Sequence, residues 1–262
     1  MDLKLKNKTA FISGSGAGIG LAIALGLAEE GAIVYINAPS QILIDEALKK
    51  IQKKQLEIYG ISADLSTENG VETVIKQLPK ADILVNNLGI YEPQDFFSIS
   101  DVDWQRIFEI NVMSGIRLSR HYLKLMLQQS WGRVLFISSE SGVIIPKEMI
   151  HYGVTKTIQI ALARGLAELT RDTEVTVNSI LAGPTSTPGI KRFIVNLANE
   201  WNIPEEQVEK EYFSRVRTGS LLNRFELPDE IAHLAVFLSS PLSVATNGAT
   251  LRAEGGVVKS IL

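Results

Sequence analysis

The chain of 262 residues contains no cysteine, which excludes disulfides, thiol nucleophiles and thiolate metal sites. Histidine is nearly as scarce. His121, His151 and His233 lie far apart and form no local ligand spacing, so no metal site is expected. Long apolar runs are missing as well. A basic start, Met1–Lys8, leads into an apolar stretch that lasts only from Thr9 to Ile12 before glycines begin, too short for a signal-peptide core. No run reaches the length of a membrane-spanning helix. No export, no membrane span and a cytoplasmic location are therefore expected. Charge of one sign is lacking too: 26 basic and 29 acidic residues give 26 − 29 = −3. Nothing in that balance favours nucleic acid or an anionic membrane surface.

What is present is an apolar fraction of 45% against 21% charged, the balance of a folded domain. Short apolar runs alternate with longer helical patterns, which is the signature of βαβ units and a parallel sheet. Strands are expected at Lys8–Ser13, Ala32–Asn37, Gln55–Ser62, Ile83–Val85, Gly132–Ser138, Val175–Leu181 and Ala249–Arg252. Helices are expected at Gly18–Glu30, Ile42–Lys54, Thr67–Leu78, Ser100–Gln129, Tyr152–Arg171 and from Pro228, with a less regular helical stretch over Gly189–Arg217. The fold class is thus α/β: one doubly wound, Rossmann-like domain over 1–262, with a substrate lid near 186–222. In such sheets ligands bind outside the carboxyl ends of the strands, so functional residues should follow them.

After the first strand comes Ser13-Gly14-Ser15-Gly16-Ala17-Gly18-Ile19-Gly20. Glycines there permit a tight turn and let backbone N–H groups approach a pyrophosphate. The loop lacks the Lys-Ser/Thr of a P-loop and misses G-x-G-x-x-G, because position 19 is isoleucine. Gly14, Gly16 and Gly18 also spell G-x-G-x-G, which suits a methyltransferase, so the loop alone leaves the nucleotide open.

Tyr152 and Lys156 stand at i and i+4 of an expected helix and share one face. A phenol titrates near ~10 and is a poor base at neutral pH; a neighbouring ammonium favours its phenolate. Tyr152 then suits the work of an acid in reduction and a base in oxidation. Ser139 ends the fifth strand, where its hydroxyl can donate to a developing alkoxide. Ser138 faces the other way and reads as structural. Asn111 lies inside a long helical pattern that it does not favour.

The spacing Gly14-x-x-x-Gly18-x-Gly20, with Asn111, Ser139, Tyr152 and Lys156, resembles the short-chain dehydrogenase/reductase family from Lys8 to Gly256. Asn86-Asn87-Leu88-Gly89 resembles that family's N-N-A-G, Asp64-Leu65 its adenine-contacting pair, and Glu254-Gly255-Gly256 its D-G-G. The resemblance implies NAD(P)-dependent hydride transfer between a nicotinamide and a carbonyl or alcohol carbon. It implies cofactor contacts at Gly14, Ser15, Gly16, Gly18, Ile19, Gly20, Asn37, Asp64, Leu65, Asn87 and Gly89, and at Gly183, Thr185 and Thr187 around the nicotinamide amide. Lys156 would also bind the ribose hydroxyls, and Asn111 would hold a water that extends the proton relay. A homotetramer or homodimer packed through the two long helices is implied, with Ala161, Ala163 and Gly165 small enough for close approach.

Three features depart from the family pattern. Leu88 replaces an alanine, Ala182 replaces a proline with Pro184 following, and the second strand ends Asn37-Ala38-Pro39-Ser40 with neither acid nor base. With nothing to repel a 2′-phosphate, and Asn37 or Ser40 free to donate to it, NADP(H) is favoured weakly over NAD(H). Substrate selectivity is assigned to Glu140–Ile150 and Gly189–Leu222. Tyr91, Val143, Ile144, Ile145, Met149, Phe193, Trp201, Tyr212 and Phe213 there suggest a small apolar or amphipathic substrate, with Arg192, Arg215 and Arg217 read as solvated charge. A 3-oxoacyl thioester reductase and a non-catalytic dinucleotide-binding regulator are the alternatives.

Overall fold

The computed structural model describes residues 1–51 and 56–261. Its seven strands are β1 (Thr9–Ile12), β2 (Ile33–Ala38), β3 (Ile58–Ser62), β4 (Ile83–Asn86), β5 (Trp131–Ser139), β6 (Glu174–Ala182) and β7 (Thr250–Ala253). All pair in parallel, in the order β3-β2-β1-β4-β5-β6-β7. The strand order reverses between β1 and β4, which opens the crevice where ligands of doubly wound sheets sit. The expected strand at Gln55–Ser62 begins at Ile58, and its first residue falls outside the described ones, as does the end of the expected helix Ile42–Lys54.

Both sheet faces are covered, as continuous apolar strands require. Ile12, Ile36, Val85, Leu135, Ile137 and Ile180 point to one face and pack under α1 (Gly18–Glu29), α2 (Gln41–Ile51) and α9 (Pro228–Ser239). Their neighbours in the strands, Phe11, Leu84, Val134, Phe136 and Val177, point to the other. There they meet α3 (Glu68–Gln77), α5 (Ser114–Gln128) and α6 (Ile150–Ala167). The period-2 alternation of strand side chains divides one sequence run between two cores.

Two expectations need correction. The long helix over Ser100–Gln129 is not continuous: α4 (Asp101–Phe108), capped by Ser100, passes into a five-residue π-helical turn, Glu109–Met113, before α5. The wider turn carries Asn111, whose side chain is held by groups outside the helix. The stretch over Gly189–Arg217 is more regular than its sequence suggests. It forms α7 (Pro188–Trp201) and α8 (Glu205–Arg215), gathered around a small separate cluster of Tyr212, Phe213 and Phe225.

The start of α3 supplies a stability test. Thr67 caps the helix by accepting from the Gly70 N–H, and a Cβ at Gly70 would lie 1.9 Å from the Asp64 carbonyl oxygen. Backbone cannot step aside as a flexible side chain can. Gly70→Ala should therefore destabilise the fold by about 3 kcal/mol, read as a fall in Tm of roughly 6–10 °C. An unchanged melting temperature would refute this account of the turn.

Candidate active site

The carboxyl ends of β1, β4, β5 and β6 meet at a cleft of about 370 Å³. At its phosphate-binding end, Gly14 and Gly18 take φ of +60° and +58°, the left-handed region that glycine enters without strain. The first turn of α1 follows, and its N-cap, Ala17, has no side chain to satisfy the N–H groups there. Gly14, Gly18 and Ile19 line the cleft beside this turn. Such an uncapped helix start fits a pyrophosphate, so the residues present suit a dinucleotide. Gly20 is buried beneath the turn, where a Cβ would lie 2.5 Å from Asn87 Nδ2.

Hydrogen bonds fix this turn to its neighbours. Ser13 Oγ accepts from the N–H groups of Asn87 and Leu88, each at 3.0 Å, and Asn87 Nδ2 donates to the carbonyls of Ser13 and Gly14. Leu88 resolves the question of its bulk: it packs against the core beneath the sheet while still lining the cleft.

Two expected cofactor contacts are corrected here. Ser15 is fully buried; its Oγ donates to Ile12 O, and its N–H donates to Asn37 O. Asn37, 2% exposed, donates both amide hydrogens to the carbonyls of Ile61 and Ala63 and accepts from the Gly14 N–H. It has no donor left for a 2′-phosphate, because an amide carries only two. Both residues shape the turn from behind. Asp64 is exposed but bonds Ser66, Leu65 is buried, and neither lines the cleft.

One wall of the cleft combines the end of β5 with α6. Ser139, Tyr152 and Lys156 all line the cleft, with Tyr91 edge-on to the Tyr152 ring. Burial pushes the Tyr152 phenol above its ordinary value, and the Ser139 hydroxyl beside it opposes that rise. The Lys156 ammonium sits 5.6 Å from the ring centroid. Burial lowers Lys156 to about 7. Ser138, as expected of a structural neighbour, donates to the Lys156 carbonyl.

Gln159 was not singled out by sequence, although it lies three residues beyond Lys156 on the same helix. Lys156 Nζ donates to Ile137 O at 2.8 Å and to Gln159 Oε1 at 3.2 Å, while Gln159 Nε2 donates to the Asn111 carbonyl at 2.6 Å. The Asn111 carbonyl accepts from Gln159, and its side chain straps the loop after β4 to α6. Asn111 Oδ1 accepts from the Ile90 N–H, and Nδ2 donates to Ile90 O and Thr155 Oγ1. Gly89 fits between these groups, 3.4 Å separating a Cβ there from Lys156 Nζ.

On the opposite wall, Gly183 donates its N–H to Ala253 O and to Glu226 Oε2, and Thr185 Oγ1 donates to Gly183 O. Burial, with Glu254 nearby, lifts Glu226 to about 7 against the opposing Gly183 N–H. Thr187 follows as the N-cap of α7. Ala182, in place of a proline, continues β6 and pairs with Ser139 and Ala253.

Tyr91, Met149, Phe193 and Tyr212 line the substrate end, as do Ile90 and Ile190. Val143, Ile144 and Ile145 lie elsewhere and are exposed, and Phe213 is core of the small cluster around α7 and α8. Arg217 is corrected. It is buried, not solvated, and its Nε donates to Glu140 Oε1 at 2.8 Å. Glu140, 3% exposed, opens the stretch assigned to selectivity but was not singled out within it; its place directly after Ser139 was the available signal. Arg215 does remain at the surface, paired with Glu211. Among the described residues, no group of three or more histidines and acids is placed to hold a metal, and no helix is long and apolar enough to cross a membrane.

Comparison with known proteins gives the same direction. The family model described as short chain dehydrogenase matches residues 8–195. An uncharacterized oxidoreductase of Bacillus subtilis, YvaG, is 44% identical across the whole of both chains. The D-beta-hydroxybutyrate dehydrogenase of Cupriavidus necator is 31% identical over 97% of this chain and 99% of its own. Among solved structures, L-sorbose reductase from Gluconobacter frateurii, complexed with NADPH and L-sorbose, superposes with a TM-score of 0.92 at 28% identity over the full length of both.

Proposed function

Because the chain belongs to the short-chain dehydrogenase/reductase family of NAD(P)-dependent oxidoreductases, we propose that Tyr152, Ser139 and Lys156 act on the carbonyl or alcohol group of a small amphipathic substrate. The observation that carries the assignment is the convergence of these three side chains on one wall of the cleft, across from the uncapped turn of α1. A bound nicotinamide dinucleotide supplies or accepts the hydride. In reduction Tyr152 gives its phenolic proton to the substrate oxygen, and in oxidation it takes that proton back. Ser139 Oγ holds the oxygen in place and donates to its developing charge. Lys156, held by Ile137 O and Gln159, carries a positive charge beside the phenol below about pH 7 and is assigned the nicotinamide-ribose hydroxyls.

The substrate end pairs apolar Tyr91, Met149 and Phe193 with polar Glu140 and Arg217, which supports an amphipathic substrate over a purely apolar one. The test is NADPH consumption at 340 nm over a panel of ketones, with an acetoacetyl thioester included. Preference for the thioester would favour a 3-oxoacyl reductase, and cofactor binding without any turnover would favour a regulator.

For the cofactor, NADP(H) is preferred over NAD(H). The support is an absence of charge: Ala38 and Pro39 follow Asn37, and no carboxylate ends β2. Ala38→Asp places an acid there, against the ribose 2′ position. Its NADPH affinity should fall by at least about tenfold while that for NADH is retained or rises. Equal affinities in both proteins would remove the proposal.

We also propose assembly as a homodimer or homotetramer through α5 and α6. Ala161 and Gly165 are exposed on α6, and Gly165 has open space beyond its Cα, whereas Ala163 faces the core and is removed from the expected contact. Light scattering at micromolar concentration should give twice or four times the 28.8 kDa chain mass.

A further inference from the structure

We infer that Glu140 and Arg217 select neutral substrates with a hydroxyl one or two carbons from the reacting carbonyl: hydroxyketones, or the matching diols, rather than keto acids, thioesters or plain ketones. The inference rests on the reductase reading above and narrows its substrate.

Four facts carry it. Glu140 is 3% exposed yet lines the cleft, directly beside Ser139. Its Oε1 accepts from Arg217 Nε at 2.8 Å, and its Oε2 accepts from Ser139 Oγ at 3.2 Å. Ser139 Oγ also accepts the Ser141 N–H at 3.1 Å, so its single proton serves either Glu140 or the neighbouring Tyr152 phenol. Arg217 and Lys156 are the cations lining the cleft among the described residues, and Arg217 is already paired, with Glu148 a further acid at 4.0 Å.

The chemistry follows from donor arithmetic. A serine hydroxyl has one proton and cannot donate to Glu140 and to the substrate oxygen together. A ketone with no second polar group must take that proton and leave a buried carboxylate oxygen short of a donor, an unfavourable exchange in a dry site. A substrate hydroxyl that donates to Glu140 Oε2 replaces the serine there. Ser139 is then free to turn its proton onto the carbonyl. A carboxylate has about four lone-pair positions, so Glu140 accommodates the hydroxyl without releasing Arg217. Anionic substrates gain little, because Arg217 is neutralised by Glu140 and a second acid stands near it. Sites built to bond a substrate hydroxyl discriminate strongly against analogues that lack it.

The test compares matched pairs in NADPH-dependent reduction: hydroxyacetone with acetone, 1-hydroxy-2-butanone and 4-hydroxy-2-butanone with 2-butanone, and acetoacetate as the anion. The wild-type enzyme should favour the hydroxylated member by about 100-fold in kcat/KM. In Glu140→Gln, and in the double variant Glu140→Met with Arg217→Met, which leaves no buried charge unpaired, that ratio should fall at least about tenfold whatever the absolute rate. A second readout is independent of turnover: ligand-observed NMR with the Tyr152→Phe protein and oxidised cofactor should show the diol of each pair binding more tightly than the simple alcohol. Equal kcat/KM for the pairs in wild type, an unchanged ratio in both variants, or faster reduction of acetoacetate would overturn the inference and leave the reductase reading standing. If no carbonyl is reduced at all, that reading fails and the inference falls with it.

Discussion

Tyr152→Phe should lose about 10³-fold in kcat while its affinity for NADPH stays within about threefold of wild type. The phenol lines the cleft beside Ser139, and phenylalanine removes only the oxygen, leaving the ring that packs edge-on against Tyr91. Packing, and with it the melting temperature, should hardly change. The separation matters because the regulator reading makes the opposite forecast: binding intact in both proteins and no turnover to lose. Ser139→Ala should lose less, about 10²-fold, since Tyr152 can still deliver its proton to a poorly held oxygen. If the phenylalanine protein turns over at the wild-type rate, Tyr152 is not the acid, and the assignment of the reactive wall is wrong.

Lys156→Met should lower kcat by about 10²-fold and also weaken cofactor binding if the lysine serves both the phenol and the cofactor ribose, as proposed. Two pH signatures distinguish this from a general loss of structure. The first concerns direction. Burial pushes the Tyr152 phenol up, so at neutral pH it holds its proton and is ready for reduction, whereas oxidation needs the phenolate. Oxidation by the wild type should therefore still be climbing with pH at about 10, the ordinary phenol value, and reduction should not. The ammonium favours that phenolate only below about 7, where Lys156 is charged, so the variant should keep the same alkaline rise.

The second signature is stability. Lys156 titrates near 7 in the folded chain against 10.5 ordinarily, so the unfolded chain holds more protons between those values. A lysine depressed in this way penalises the folded state fully below about 7, and the penalty fades as pH climbs towards about 10.5. Wild type should accordingly gain stability relative to Lys156→Met over that window. A Tm difference that does not change with pH would show that Lys156 is not depressed by burial.

Much of this architecture is legible in the residues alone. Strands such as Ile33-Val34-Tyr35-Ile36 and helix signals such as Ser100-Asp101 and Pro228-Asp229-Glu230 are local, and local chemistry decides them. The reactive serine, tyrosine and lysine were visible because their spacing is nearly fixed by a strand end and a helix face. What escaped depended on partners far along the chain. Asn37 looked like a free donor until the carbonyls of Ile61 and Ala63 claimed its amide. Arg217 looked like one more surface charge until it met a carboxylate 77 residues away. The π-helical turn gives no hydrophobic period of its own, so Asn111 read as a misfit within one long helix. Gln159 was overlooked because an amide on a helix has no distinctive pattern; its meaning comes from the two groups it bridges.

The small cluster of Tyr212, Phe213 and Phe225 gives α7 and α8 a core separate from those that hold the sheet. The α7 side of the cleft therefore rests on a foundation apart from the sheet. A substitution on the cleft side of α7, at Ile190 or Phe193, alters the shape offered to a substrate without loosening the strand β5 and helix α6 that carry Ser139 and Tyr152. Such a division makes the fold readily re-tooled. New specificities are open to it by small steps in the cover, each tried without risk to the engine beneath.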